Sequence, residues 1–236
     1  MGGSLPMRVI CDWGLNALAS VPRDFVVVVV DVFSFSTAVT VACGRGALIY
    51  PCPWSGERAA ELARTHEARL ASKTRDTPFS LSPSALREIP HGTRMVLPSR
   101  NGSAIAFAAR EAGIETIAVG CLRNAAAVSR WIGERSAAIV ACGERWPDDS
   151  LRFAIEDWLA AGAIIFRMPH ARSAEAEAAA AAFERLRGEL AVALRDSLSG
   201  RELADAGWTD DVDVASELDA DDLVSILDGD AFRATR

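Results

Sequence analysis

Residues 26–40 read VVVVVDVFSFSTAVT and carry the strongest structural signal in the chain. Five consecutive valines with no polar break are typical of a strand that is covered on both faces of a sheet. The hydroxyl side chains of Ser34 and Ser36 can begin a helix directly after it. The stretch therefore predicts a buried strand followed by a helix, with an acid, Asp31, at the junction.

The same pattern recurs along the rest of the chain. Strands that precede helical sequence are predicted at 47–53, 93–99, 115–122 and 137–144. Alternating strands and helices predict an α/β protein with α/β/α layers and largely parallel or mixed sheets. We expect residues 1–236 to form a single unit, with two similar α/β lobes at about 1–112 and 113–236.

The sequence after these strands has high helix propensity. Residues 173–197, which are rich in alanine, glutamate and arginine, predict one long helix. Residues 196–230 contain twelve Asp and Glu against one Arg, and they predict short helices interrupted at Gly207.

Composition excludes several functional classes. Half of the 236 residues are apolar and 24% are charged, which is typical of a folded, soluble protein. We expect a cytoplasmic protein, since there is neither a signal-peptide pattern nor an apolar run of about 20 residues. The net charge of −7 and the acidic segment disfavour nucleic acid as a partner. Five scattered cysteines indicate neither a zinc site nor a disulfide framework.

Polar residues follow four predicted strands, at the places where ligands gather in α/β sheets. The four junctions are Asp31 with the residues after it, PSRNGS (98–103), CLRN (121–124) and CGERWPDDS (142–150). The carboxylate pair Glu156 and Asp157 follows the last of them.

Each junction has a structural and a functional interpretation. Asp31 could cap a helix, or it could be a ligand of a hard cation such as Mg²⁺. The segment 99–103 could form an ordinary Asn-Gly turn, or it could bind a phosphate or sulfonate oxygen. Glu156 and Asp157 could be a charged first helical turn, or one of them could face a site.

Taken together, the junctions resemble those of the 2-phosphosulfolactate phosphatase (ComB-like) family. An apolar strand ending in Asp before a small-residue helix start resembles VVVVVDVFSFSTAV. A strand entering Thr-Thr-Asn-Gly-Thr is similar to PSRNGSAIA, and a strand before an Asn-Ala helix is similar to GCLRNAAAVSRWI. An acidic pair in a helix that contains Gly resembles FAIEDWLAAGAII. The order of these motifs agrees over about residues 7–165.

The resemblance implies an Mg²⁺-dependent phosphatase that acts on a small anionic substrate, 2-phosphosulfolactate, in coenzyme M biosynthesis. The composition, with one lysine beside 24 arginines, indicates a bacterial protein. Charge and hydropathy predict no nucleic acid or membrane partner, and an assembly of identical chains is compatible with the sequence. Carried over by position, the catalytic residues are Asp31, Asn101, Glu156 and Asp157, and the metal ligands are Asp31, Glu156 and Asp157. The residues expected to line the substrate site are Ser36, Thr37, Ser99, Arg100, Gly102, Ser103 and Asn124.

Three departures from the family pattern leave a second function open. Ser34 replaces an arginine, Ser80 replaces an aspartate, and a Gly-Glu-Arg turn is missing around 72–75. Lys73, Arg75 or Arg100 could restore positive charge, but no residue obviously restores the acids. The alternative is therefore a catalytically degenerate member that binds an anion or a partner without turnover.

Overall fold

The computed structural model describes residues 7–72, 74, 77 and 79–235, so that Lys73 and Arg75 lie outside the described residues. Ten strands of the described residues form one sheet, and two further strands form a short hairpin. In chain order they are β1 (Arg8–Trp13), β2 (Val26–Val30), β3 (Leu48–Cys52), β4 (Arg69–Leu70), β5 (Arg94–Pro98), β6 (Thr116–Gly120), β7 (Ala137–Ala141), β8 (Glu144–Arg145), β9 (Leu151–Arg152), β10 (Ala171–Arg172), β11 (Val224–Asp228) and β12 (Ala231–Thr235).

Helices connect most of these strands. They are α1 (Phe35–Gly44), α2 (Glu57–Thr65), α3 (Gly102–Glu111), α4 (Ala125–Ile132), α5 (Ile155–Phe166), α6 (Ala174–Leu186), α7 (Leu190–Asp196), α8 (Leu198–Asp205) and α9 (Thr209–Ser216). Short 3₁₀ segments lie at Leu15–Ser20, Ala85–Glu88 and Leu122–Asn124. Within the described part of the chain, no helix combines the length and the apolar character needed to cross a bilayer.

The strand order in the large sheet is β10-β1-β7-β2-β6-β11-β12-β3-β5-β4. The first five strands are parallel to one another, and so are the last three. The hairpin β11–β12 joins these two groups through antiparallel pairs with β6 and β3. This mixed, largely parallel sheet confirms the predicted fold class.

The predicted lobes, 1–112 and 113–236, stay a prediction. Strands from both ranges alternate in the sheet, because β2 pairs with β6 on one side and with β7 on the other.

The valines of β2 pack on both faces of the sheet, as their sequence predicts. Val27 and Val29 belong to a core cluster with apolar residues of α1 and α3. Val26, Val28 and Val30 belong to a second cluster with residues of α4, α5 and α6. Each of the five valines is at most 1% exposed. The sheet is therefore the middle layer between two layers of helices.

The C-terminal segment differs from its prediction. The interruption at Gly207 is confirmed, since α8 ends at Asp205 and α9 begins at Thr209. After α9, however, the chain forms the β11–β12 hairpin in the middle of the sheet. Gly229 makes the tight turn with φ of 61°, a conformation that favours glycine.

The single long helix predicted at 173–197 is wrong. The helix ends at Leu186, and α7 begins at Leu190. Gly188 lies between them, and glycine has about 1 kcal/mol less helix propensity than alanine.

Candidate active site

Asp31 ends β2 and is held in place by main-chain groups. Its Oδ2 accepts from the N–H of Gly102 at 2.8 Å and from the Ser99 hydroxyl at 3.3 Å. Its Oδ1 accepts from the N–H of Phe35 at 3.3 Å. Burial raises the pKa of Asp31, and these hydrogen bonds oppose that shift. The carboxylate therefore ties the beginning of α1 to the turn after β5.

That turn is compact because the Ser99 side chain accepts hydrogen bonds from main-chain groups within it. The Ser99 Oγ accepts from the N–H groups of Asn101 at 3.2 Å and Gly102 at 3.1 Å. A Cβ at position 102 would lie 2.3 Å from Cδ1 of Phe35 and 2.8 Å from Oδ2 of Asp31. Only glycine allows the main chain to approach Asp31 so closely, so glycine at position 102 is a structural requirement of this turn.

Asp157, in the first turn of α5, joins the end of β2 to the end of β7. Its Oδ1 accepts from the N–H of Val32 at 2.7 Å, and its Oδ2 accepts from the N–H of Gly143 at 2.8 Å. Burial, with the charges of Asp31 and Glu156, raises the pKa of Asp157 well above its usual value. The residues after β2 and β7 are thus fixed to α5 by one carboxylate.

Glu156 lies beside Asp157 but has a different environment. It is 1% exposed, and its Oε2 has no hydrogen-bond partner among the described residues. Burial raises its pKa, whereas a hydrogen bond from Ser199 and the charge of Arg152 oppose the shift. A buried carboxyl oxygen without a partner is costly, and it marks a place where a ligand, a water molecule or a proton is expected.

Glu144, which the motif comparison did not select, is the fourth acid of the site. Its Oε2 accepts from Nδ2 of Asn101 at 3.1 Å. Burial, followed by the charges of Asp31 and Glu156, raises the pKa of Glu144 from 4.5 to about 7. The signal in the sequence was its place in CGERWPDDS, directly after a predicted strand.

Three arginines line a cavity of about 400 Å³ next to these acids, together with Trp146, Pro147 and Glu202. Arg100 forms an ion pair with Asp149, and Arg152 forms one with Glu202. Arg145 donates to two neutral oxygens, Oδ1 of Asn101 at 3.4 Å and the carbonyl of Asp149 at 3.0 Å.

Among the residues that the structure describes, no carboxylate pairs with Arg145, so its charge is available to an anion. Arg145 and Arg152 were not selected from the sequence, and Arg100 was.

The other residues predicted to line a substrate site are buried. Their side chains bond inside the protein: Ser36 to the carbonyl of Val29, Thr37 to the carbonyl of Val32, Ser103 to the carbonyl of Leu97, and Asn124 to the N–H of Cys121 and the Thr40 hydroxyl. The structure thus brings Asp31, Ser99, Asn101, Gly102, Glu156 and Asp157 together, with Arg100 at the cavity. Whether the buried residues contact a substrate stays a prediction.

The acids have little free capacity to bind a metal ion. Within the described ranges, no three His, Cys, Asp or Glu side chains are placed so that they could hold a metal ion between them. Both oxygens of Asp31 and of Asp157 already accept from main-chain N–H groups. Glu156, with its unpartnered oxygen, has the free capacity that a cation ligand needs.

Comparison with known proteins identifies one family. The family model for 2-phosphosulpholactate phosphatase matches residues 16–230 of the 236. No curated protein is similar enough to the chain to count as a match.

Proposed function

Because the chain belongs to the 2-phosphosulpholactate phosphatase family, we propose that it hydrolyses a phosphate ester of a small anionic hydroxy acid with the help of Mg²⁺. The observation that supports this most directly is the hydrogen bond between Asn101 and Glu144. It holds Glu144, which lies near the carboxyl groups of Asp31 and Glu156, beside the turn whose Arg100 lines a cavity with two other arginines. Phosphatases need both kinds of group, since the substrate is an anion and the reaction moves protons.

Arg145 is the residue best suited to bind the phosphate. A guanidinium can donate two parallel hydrogen bonds to phosphate oxygens, and such charge-assisted bonds are stronger than neutral ones. Arg100 and Arg152 add positive charge to the same cavity, although each is already paired with an acid. The phosphate would therefore be held chiefly by Arg145.

Glu156 is the acid with free capacity for Mg²⁺. That ion commonly binds through one or two carboxylates, keeps several waters and takes further ligands from the substrate phosphate. Glu156 offers its free Oε2, and Asp31 and Asp157 add negative charge close by. When bound, Mg²⁺ would neutralise phosphoryl charge and orient the attacking water.

Hydrolysis requires one bond to form and one to break. The oxygen of a water molecule bonds to phosphorus, and the bond between phosphorus and the ester oxygen breaks. The ester oxygen keeps the electron pair and takes a proton, so that the products are the alcohol and inorganic phosphate. Glu144, with a pKa of about 7, can accept or donate that proton near neutral pH, and Asn101 orients it.

A specific observation also supports the second function, anion binding without turnover. Two of the three predicted metal ligands, Asp31 and Asp157, use both oxygens to fix main-chain segments. In such a protein the acids would be structural, and the arginine cavity would still bind a phosphate or sulfonate.

One experiment separates the two functions. Hydrolysis of 2-phosphosulfolactate and of a panel of phosphate esters is measured at increasing Mg²⁺ concentrations, for the unmodified protein and for Glu156→Gln. Glu156→Gln is preferable to Asp31→Asn because the oxygen it alters holds no structural hydrogen bond. Mg²⁺-dependent turnover that falls at least a hundredfold in Glu156→Gln supports the phosphatase.

Two controls complete the experiment. Glu134→Gln, at an exposed position, should leave turnover unchanged. If no ester is hydrolysed while inorganic phosphate still binds, the protein is an anion-binding member of the family and the phosphatase proposal is wrong.

A further inference from the structure

A second cavity, of about 510 Å³, lies at the carboxyl ends of β4 and β5. Pro98 is the last residue of β5 and Leu70 the last residue of β4, and both line it. The cavity is also lined by Ala59, Ala71, Leu81 and Trp208. The cavity has the size of sites that bind small organic molecules, and its walls are mainly apolar.

This apolar cavity is next to the arginine cavity. Pro98, the last residue of β5, lines the apolar cavity, and Arg100, two residues later, lines the arginine cavity. Residues two apart in sequence have Cα atoms within about 7.6 Å of each other.

Residues of α8 and of the turn after it also line the two cavities. Glu202 lines the arginine cavity, and Trp208 lines the apolar one. The N–H of Trp208 donates to the carbonyl of Leu203 at 2.8 Å, which folds the chain back at the end of α8. Each of two chain segments therefore contributes to both cavities.

We infer that the two cavities are the polar and the apolar half of one cleft, and that its ligand is an organic phosphate with an apolar body, its phosphate at the arginines and its apolar part against Pro98, Leu70 and Trp208. The inference rests on the proposed function for its phosphate site, and it adds to the substrate an apolar group that a small anionic hydroxy acid lacks. A small sulfonated acid would occupy the arginine half and leave the apolar half unused. An alkyl or aromatic group on the phosphate ester would fill it.

The apolar half gives a measurable expectation. Burying one methylene group strengthens binding about three- to fourfold. Affinity should therefore increase with the length of an alkyl chain until the cavity is filled. If the cleft recognised the phosphate alone, affinity would be independent of that length.

Alkylphosphonates test this without depending on catalysis, because their carbon–phosphorus bond is not hydrolysed. Dissociation constants of methyl-, ethyl-, propyl-, butyl- and phenylphosphonate are measured by titration calorimetry. We expect at least a tenfold decrease of Kd from methyl- to butylphosphonate. Equal Kd values along the series, or no binding of any phosphonate, would overturn the inference.

Two variants locate the effect in the cavity. Leu70→Glu places a charge in the apolar half at a position that is already 38% exposed, and Ala59→Leu reduces the volume. Each should abolish the dependence on chain length while methylphosphonate binds as before. Leu15→Glu, at an exposed apolar residue outside the lining of the cavity, is the matched control and should preserve the dependence. A dependence that persists in both cavity variants would contradict this location.

Turnover separates this inference from the proposed function. If the phosphonates show the chain-length dependence but no alkyl phosphate is hydrolysed, the ligand class stands and the phosphatase proposal fails. If esters are hydrolysed at rates that do not depend on the alkyl group, the phosphatase proposal stands and the inference fails.

Discussion

The main-chain N–H of Gly102 donates to Oδ2 of Asp31 at 2.8 Å, across 71 residues of sequence. This hydrogen bond connects the turn after β5 to the end of β2, although several strands separate β5 from β2 in the sheet. Both groups are buried, and an unpaired buried carboxylate would be costly. The shape of the candidate site therefore depends on the absence of a side chain at position 102.

Gly102→Ala should destabilise the protein and weaken any activity. The added Cβ would lie 2.3 Å from Cδ1 of Phe35, so the turn or the ring must move. Overpacking of this kind costs about 1–3 kcal/mol of unfolding free energy, which chemical denaturation measures. Gly188→Ala is the control, because nothing lies within 4 Å of its Cβ. Equal stability of the two variants would contradict the close contact.

Asp157→Ala should lower the unfolding free energy more than the loss of an ordinary surface acid does. The N–H groups of Val32 and Gly143 would lose their acceptor, and each buried, unsatisfied group costs about 1–3 kcal/mol. We expect an unfolding free energy lower by about 2–4 kcal/mol, measured in urea. Glu134→Ala, at an exposed position, should change it by less than about 0.5 kcal/mol. Similar values for both variants would show that Asp157 does not tie these segments together.

Glu144 should make stability depend on pH. Its pKa is 4.5 when unfolded and about 7 when folded, so between these values the unfolded state releases a proton that the folded state keeps. The contribution of Glu144 to the free energy of unfolding is therefore complete below pH 4.5, and it is lost as the pH rises through 7.

Glu144→Gln should remove this loss. Relative to the unmodified protein, the variant should gain about 1–3 kcal/mol of unfolding free energy between pH 4.5 and pH 8. Denaturation at several pH values measures it, and Glu134→Gln should follow the unmodified protein. A pH dependence that is the same in all three proteins would mean that Glu144 titrates normally.

Arg145→Gln should weaken the binding of phosphate at the site. Hydrogen bonds to charged groups contribute about 1.5–3 kcal/mol, so KM for a hydrolysed ester should rise about 10- to 100-fold. If no ester is turned over, Kd for inorganic phosphate gives the same information. Arg185→Gln, at an exposed position, should leave both unchanged. An unchanged KM in Arg145→Gln would exclude it as the main phosphate ligand.

The sequence was informative where local pattern decides structure. Five valines predicted a strand buried on both faces, and the position of Asp31 after that strand placed it at a junction with α1. The same reasoning placed Ser99–Gly102 and Asp157 at other junctions. The structure brings these residues together through hydrogen bonds that join separate segments.

The positions of other residues in the candidate site depend on contacts that no local pattern encodes. Glu144 lies in a strand of two residues, and its raised pKa comes from burial and from acids far away in sequence. Arg152 reaches the cavity because Glu202, 50 residues later, holds it there. The β11–β12 hairpin was missed for a different reason, because it follows an acidic segment, although LVSILDGDAF (223–232) has the apolar run and the Asp-Gly turn of a hairpin.

The position of the β11–β12 hairpin fixes when the sheet can be completed. Residues 224–235 are synthesised after all the remaining strands of the sheet. In the sheet, however, they lie between β6 and β3. Until then, the two parallel groups have unpaired edges where the hairpin will bind, and exposed edges favour aggregation. Completion of the sheet therefore waits for residues 224–235, and a copy without them lacks the hairpin that joins the two parallel groups.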